Sequence, residues 1–466
     1  FFGRINYNYK ERYMVELNGR YDGTSRFVGD KRWNFFPSFS AGWNIAREDF
    51  WQSYEDVVST LKLRGSWGEL GNQNMSSWYP FYQTMPFGTA NGGWLINGEK
   101  PNTSSAPGLV SSLLTWERVQ SWNVGFDWGA FNNRLTGSFD YFVRKTLDMV
   151  GPAPELPVIL GTSVPKLNNA DMKSYGFELE IGWRDRIGNV SYGVKGVLSD
   201  AQQKVTRYPN KTGNISQWFA GRYSGEIWGY ETIGIAKSQE EMDAHLASLP
   251  NGGQNALGNK WAAGDIMYKD LNGDGKIDGG KGILGETGDR KVIGNSTARF
   301  NFGVTLDAQW KGFDISVFFQ GVGKRDYAIG GPYFWGANGG MWQSAGFVEH
   351  LDFFRPEGHP MGANLDSYYP RPIFDGGGKN QQTQTKYLQN AAYIRMKNLQ
   401  VGYTFPQQWI SKAGLQYLRV FISGDNLLTG TKMTSIFDPE TIGGGWGEGK
   451  TYPLSKVISF GLNVNF

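Results

Sequence analysis

The segment "DLNGDGKID" carries the sharpest chemical signal in this chain. Asp270, Asn272 and Asp274 occupy the first, third and fifth positions of a calcium loop. Gly275 supplies the sharp turn at the sixth, Lys276 offers its backbone carbonyl at the seventh, and Asp278 falls at the ninth. Oxygen donors at alternate positions on a tight turn converge on one hard cation. The expectation is Ca²⁺, bound as a structural brace of a long exterior loop and not as a catalyst. The pattern departs at position twelve, where Lys281 replaces the bidentate Glu, leaving Glu286 or Asp289 to reach back across "GGKGILGETGD". The same residues also make an ordinary Asn/Asp/Gly turn with no ion.

Other candidates are recognition residues rather than catalysts. The glycine-rich stretches "GGPYFWGANGGMW" (330–342) and "GGGWGEG" (443–449) follow no phosphate-loop pattern. They read as loops carrying Tyr333, Trp335, Trp342 and Trp446, whose ring faces suit contact with a sugar, a peptide or a covering partner. Glu178 and Glu180 lie two apart on one strand and point the same way, towards water. The three histidines, His245, His350 and His359, lack the spacing of a metalloprotease helix, and no Ser/His/Asp arrangement is readable. Nothing here reads as an enzyme.

The bulk composition narrows the class. The 466 residues hold 18 Trp, 23 Tyr and 30 Phe, and 65 glycines, about twice the usual share of roughly 7%. Abundant aromatics and glycine favour many strands with close backbone approaches. There is no cysteine, which excludes disulfides, thiolate zinc sites and cysteine nucleophiles. A net charge of +3 with no basic stripe argues against nucleic acid. No run of 18 apolar residues predicts a membrane-crossing helix.

Alternation is the dominant pattern. In the closing "VISFGLNVNF", Ile458, Phe460, Leu462, Val464 and Phe466 are apolar, and Ser459, Gly461, Asn463 and Asn465 lie between them. The same period recurs from "FFGRINYNYK" onward and predicts about 14 strands, one of them near "IWGYETIGIA". Tight turns such as "FNNR" (131–134) and "DRIGN" (185–189) alternate with long stretches at 72–114, 203–227, 237–296, 325–385 and 428–453. Short turns at one end and long loops at the other describe an outer-membrane barrel. Segments 47–59 and 239–248 read as short helices.

The aromatic content of the repeated face decides the solvent. A sandwich core favours Val, Ile and Leu. Here Phe, Tyr and Trp fill the rows, and Trp128, Trp183 and Trp310 crowd segment ends, as in a lipid-facing band with aromatic girdles. The opposite face, rich in Asn, Ser, Gly, Lys, Arg and Glu, suits a watery lumen. The fold class expected is therefore all-β, a large antiparallel transmembrane barrel. A secreted, soluble β-rich carbohydrate-binding or structural protein is the alternative in another class, and a passive porin is a third.

"YKERYMVELNGRYDGTSRF", "RWNFFPSFSAGWNIARE", "LKLRGSWGELGNQN", "LTWERVQSWNVGFDWGAFNNRLTGSFDYFVRKT", "YKDLNGDGKID", "YIRMKNLQVGYTFP" and "ISFGLNVNF" resemble the SusC/RagA family of TonB-linked outer-membrane transporters, in consistent order along the whole chain. The resemblance implies a barrel of about 22 strands plugged by an N-terminal domain, of which residues 1–466 are the C-terminal part. It implies active import of oligosaccharides or peptides, driven through TonB by way of the plug, with a SusD-like surface lipoprotein as lid. The plug and the N-terminal strands are expected outside this chain. Phe466 is expected to serve as the signal read by the barrel-assembly machinery.

Overall fold

The computed structural model describes residues 1–466 apart from 76, 90–94, 105–106, 154–158, 160–163, 337–345, 375–376 and 444–450. Thirteen strands form one antiparallel sheet in chain order: β1 (Phe2–Tyr9), β2 (Tyr13–Gly23), β3 (Trp33–Asn44), β4 (Val58–Asn72), β5 (Glu117–Ala130), β6 (Leu135–Gly151), β7 (Leu167–Ile187), β8 (Val190–Arg207), β9 (Arg299–Trp310), β10 (Phe313–Lys324), β11 (Tyr393–Thr404), β12 (Tyr417–Thr431) and β13 (Val457–Asn465). Each strand pairs with its sequence neighbours, so the sheet is an uninterrupted meander. Among the described residues no helix is long and apolar enough to cross a membrane.

Packing divides the chain into two units. The first holds residues 1–179, 201–211 and 217–223, and the second holds 180–200, 212–216 and 224–466.

Within the first unit the register carries the apolar rows from strand to strand. Leu17 faces Ile5 on one side and Phe39 on the other, Phe39 faces Trp67, and Trp67 faces Trp122. A slip of one residue would send every one of these side chains to the opposite face. The rows remain exposed to the surroundings, as at Ile5, Leu17, Phe39, Trp67 and Val124. The opposite face carries ion pairs. Arg64 on β4 forks to Asp127 on β5 and Asp140 on β6, each at 2.8 Å, and Arg207 reaches Asp171 at 2.7 Å and Asp148 at 3.0 Å. A small cluster of Phe27, Phe36, Leu114 and Trp116 is buried beneath the connections of this unit.

The second unit repeats the pattern. Val194 faces Leu306, Leu306 faces Val317, Val317 faces Leu399, Val401 faces Ile422, and Ile422 faces Phe460. Arg419 pairs with Asp314 on the polar side, its Nε donating at 2.9 Å, and Arg299 forks onto Asp200. A bulge breaks the alternation of β11. Against β10 its register shifts between Met396 and Asn398, with Lys397 as the extra residue. The bulge turns Arg395 away from the side of Leu399 and Val401, leaving it buried while Ile394 is exposed.

Connections at one end of the strands are short: 10–12, 45–57, 131–134, 188–189, 311–312 and 405–416. Lys311 and Gly312 both take positive φ, as a two-residue hairpin turn matched to strand twist requires, and Lys10 and Glu11 do the same in the three-residue connection 10–12. The connection 45–57 contains the expected helical turns, as 3₁₀ segments Ile45–Arg47 and Asp49–Tyr54. The other end carries 24–32, 73–116, 152–166, 208–298, 325–392 and 432–456.

Two differences from the sequence reading stand out. The segment near "IWGYETIGIA" is not in the sheet. Its strands Glu226–Tyr230 and Thr232–Ile235 pair with Arg290–Asn295 and Ile266–Tyr268 inside the connection 208–298. The strands are also longer than the roughly 9–11 residues of a tilted crossing, with β7 reaching 21 residues. Its first part, Leu167–Lys173, is rich in Asn, Asp and Lys, which suits a strand that continues into water.

Candidate functional site

The connections 208–298, 325–392 and 432–456 fold together into a domain with its own core. Tyr230, Met242, Ile266 and Tyr268 come from the first, Phe334, Tyr369 and Tyr387 from the second, and Met433, Phe437 and Ile442 from the third. Helix α1 (Gln239–Ala247) starts where Ser238 Oγ accepts a hydrogen bond from the Glu241 amide at 3.2 Å, and it drives Met242 into this core. Backbone bonds join the first two connections directly. The Tyr230 amide donates to the Thr383 carbonyl at 2.9 Å, and the Thr385 amide donates to the Tyr230 carbonyl at 3.1 Å.

At the centre lies a buried carboxylate. Asp265 is 0% exposed and accepts from Arg371 Nε at 2.7 Å, Lys379 Nζ at 2.6 Å, Asn380 Nδ2 at 2.9 Å and the Ala262 amide at 2.9 Å. Burial alone would raise its pKa; the bonds from Arg371, Asn380 and Lys379 outweigh that and hold it below the usual carboxylate range. Lys379 is itself 4% exposed and lies over the Trp261 ring at 4.7 Å. Burial lowers its pKa, with Asp265 opposing.

The third connection is held by the β11 bulge. Arg395, turned inward there, donates to Asp438 and Glu440 at 2.8 Å each, and Lys397 adds a bond to Glu440 at 3.0 Å.

The Asp270–Asp278 turn has the sharp backbone expected, with φ of 74° at Gly273 and 77° at Gly275. Its acids are engaged with the chain itself. Asp270 accepts from the Gly273 and Gly275 amides, Asp274 from the Lys276 amide, and Asp278 from the Gly280 amide. Lys276 turns its ammonium to Asp278 at 2.6 Å, and Lys281 pairs with Glu286 at 2.7 Å. Among the described residues no group of three or more acids or imidazoles is arranged as a metal site. Asp289, 0% exposed, ties the turn by accepting from the Leu271 and Asp278 amides, both at 2.8 Å. Burial raises its pKa, and the charges of Asp270 and Asp274 raise it further.

The aromatic candidates separate. Tyr333 is exposed. Trp335 is half-buried against the core, 4.7 Å edge-on from the Tyr387 ring, and borders a cavity with His350, Phe353 and Tyr369. Trp342 and Trp446 lie outside the described residues. Phe466 follows β13 and is 84% exposed, in line with the exposed Ile458, Phe460 and Leu462. Sequence reasoning missed Asp265, Arg371, Lys379 and Arg395, because nothing local marks residues whose partners lie far along the chain.

An antiparallel meander with one exposed apolar face, short turns at one end and a folded loop domain at the other defines an outer-membrane β-barrel wall. Residues 1–427 match the family model described as "TonB dependent receptor-like, beta-barrel", and the chain belongs to that family. TonB-dependent receptor P3 of Formosa agariphila is 28% identical over all of this chain, which covers 45% of that relative. TonB-dependent receptor SusC of Bacteroides thetaiotaomicron is 25% identical over all of the chain, covering 43% of that protein. A solved structure of the RagAB peptide transporter matches with a TM-score of 0.71 at 24% identity, over all of this chain and 47% of that one, a likeness of fold. The chain thus spans less than half the length of the curated relatives it matches. The matched family places the chain in the barrel of a TonB-dependent receptor of the outer membrane, similar to SusC and, in fold, to the RagAB structure.

Proposed function

We propose that this chain is the barrel wall and exterior recognition domain of an active importer that takes up oligosaccharides or peptides with energy delivered through TonB. The observation that carries the reading is the fused loop domain: three connections share one core and hold aromatic side chains above a sheet whose other face is charged. A passive pore needs no such folded cap. The name of the RagAB peptide transporter supports a peptide among these cargoes, and the oligosaccharide and a SusD-like lipoprotein lid follow from the resemblance to the SusC/RagA family. The plug and the remaining strands are assigned to the rest of the protein. Among the described residues β1 and β13 each have a hydrogen-bonded neighbour on one side only, so both edges are available to further strands. Phe466 is assigned the assembly signal, and the Asp270–Asp278 turn a bound Ca²⁺. Asp270, Asn272 and Asp274 at alternate positions around the sharp turn at Gly273 and Gly275 support the latter.

Uptake of labelled oligosaccharides and peptides by cells with and without TonB tests the importer reading. Uptake should require both TonB and this receptor. Equal uptake without TonB would make it a passive pore.

A further inference from the structure

A row of cations crosses the outer face of the first unit just beyond its aromatic rows. Trp67 faces Trp122, and Trp122 faces Val143. Two residues further along the strands, Glu69 faces Gln120, and Gln120 faces Lys145. Two residues advance a strand by about 7 Å, which carries the row from an aromatic girdle to the level of lipid headgroups. The long connections 73–116 and 152–166 lie at this end, so the leaflet is the exterior one.

The row continues onto β7 and β8. The rings of Phe139 and Phe177 stack at 6.1 Å, and the Asp148 amide donates to Asp171 at 2.8 Å, which sets β6 against β7 and brings Lys145 level with Lys173. Lys173 lies over the Tyr175 ring at 5.2 Å, and Lys204 of β8 lies over the Tyr223 ring at 5.1 Å. The Tyr175 and Tyr223 hydroxyls meet at 3.4 Å, so these two lysines belong to one cluster. Among the described residues no acid pairs with Lys145, Lys173 or Lys204. The acids of this region are already engaged. Glu69 accepts from Gln120 at 2.8 Å and lies 3.8 Å from Arg118, while Arg118 and Arg207 hold Asp148, and Arg207 also holds Asp171. The three lysines and two arginines thus stand against three carboxylates. Like charges on neighbouring strands repel and weaken a sheet, and an anion bound against the row relieves that repulsion.

We propose that Lys145, Lys173 and Lys204 form a site for the phosphorylated headgroup of a lipid in the exterior leaflet. The proposal needs only the outer-membrane location and holds whatever the cargo. The row is continuous with a face that already meets lipid, so acyl chains beneath the headgroup lie along the exposed Trp67, Trp122 and Tyr141. Lysine stems run over such apolar surface and carry their ammonium groups out to a charged layer. One phosphate offers several acceptor oxygens and engages more than one ammonium. A zwitterionic headgroup brings its own cation into the row and is held less well. Free phosphate lacks the chains that bind the aromatic rows below.

Titration of the intact receptor in detergent micelles with fluorescent diphosphoryl lipid A tests this, with the dephosphorylated lipid, phosphatidylcholine and inorganic phosphate as comparisons. Diphosphoryl lipid A should bind, and less tightly as salt rises. Each of Lys145→Gln, Lys173→Gln and Lys204→Gln should weaken binding about fivefold, and the three together about a hundredfold. The triple variant with Arg at the same positions should bind as the unaltered receptor does. Lys62→Gln, on the opposite face beside Asp127, should change nothing. In lipid-free micelles the triple Gln variant should melt no lower than its parent, because repulsion has been removed, and the single variants carry the same comparison without it. Unchanged binding in the Gln variants overturns the proposal, and is the result expected if the row instead receives an acidic protein surface. Equal binding of the dephosphorylated lipid overturns it too, as does displacement of the lipid by millimolar inorganic phosphate.

Discussion

Arg371 grips Asp265 with two hydrogen bonds, Nε to Oδ1 at 2.7 Å and an Nη to Oδ2 at 2.9 Å, across 106 residues of chain. The pair joins the connection 208–298 to the connection 325–392, and Lys379 completes it from within the core. Removing the carboxylate charge leaves a buried ammonium without its counter-ion. Asp265→Asn should therefore destabilise the loop domain by about 3–5 kcal/mol. Asp265→Asn with Lys379→Met should recover part of the loss. Limited proteolysis of 208–298 checks both, and the sheet should stay resistant throughout.

The same carboxylate sets an acid limit. Its folded pKa lies below the ordinary Asp value of about 3.9. Its contribution is thus complete above that value and is lost as pH falls through the lower folded one. Hydrogen exchange of Ile266 and Tyr268 should stay slow at neutral pH and accelerate only under strong acid. In Asp265→Asn this acid step should shrink.

The exposed rows set a test of solvent. Val124 sits in the middle of β5 on the apolar face, and Asn123 beside it faces the other way. Val124→Arg should cost about 2–4 kcal/mol in bilayer stability, whereas Asn123→Arg should cost far less. Heat-modified mobility on gels, read across temperature, compares them.

Phe466 makes little packing contribution at 84% exposure. Phe466→Ala should lower the amount of receptor assembled in the outer membrane while leaving the melting temperature of the assembled fraction unchanged. A fall in melting temperature equal to the loss in assembly would argue for a packing role instead.

Terbium luminescence tests the Asp270–Asp278 turn. Tb³⁺ should bind, Ca²⁺ should compete it away, and Asp270→Asn with Asp274→Asn should abolish the signal. Lys276→Ala should strengthen binding, because the Lys276 ammonium now lies on Asp278.

The wall strands were legible because lipid on one face and water on the other write a period of two into residues such as Ile315, Val317, Leu399 and Val401. That same period misled at Ile227–Ile235, where alternation reports pairing inside a loop domain. It would also place Arg395 beside Leu399, and the Lys397 bulge against β10 reverses this. The loop core was unreadable for another reason. Phe334, Tyr387 and Ile442 follow no common period and meet only in three dimensions. Trp335 was visible as a loop aromatic, but its place at a cavity was not.

Because the three connections bury one another's side chains, none is free to diverge by itself. Replacing 325–392 alone with the counterpart from a related receptor would strip Asp265 of its cations and bare Tyr230 and Phe437. Moving all three together would carry the domain intact. Ligand preference in such receptors would then be inherited as a block, with small adjustments confined to side chains that point out of the shared core, such as Tyr333.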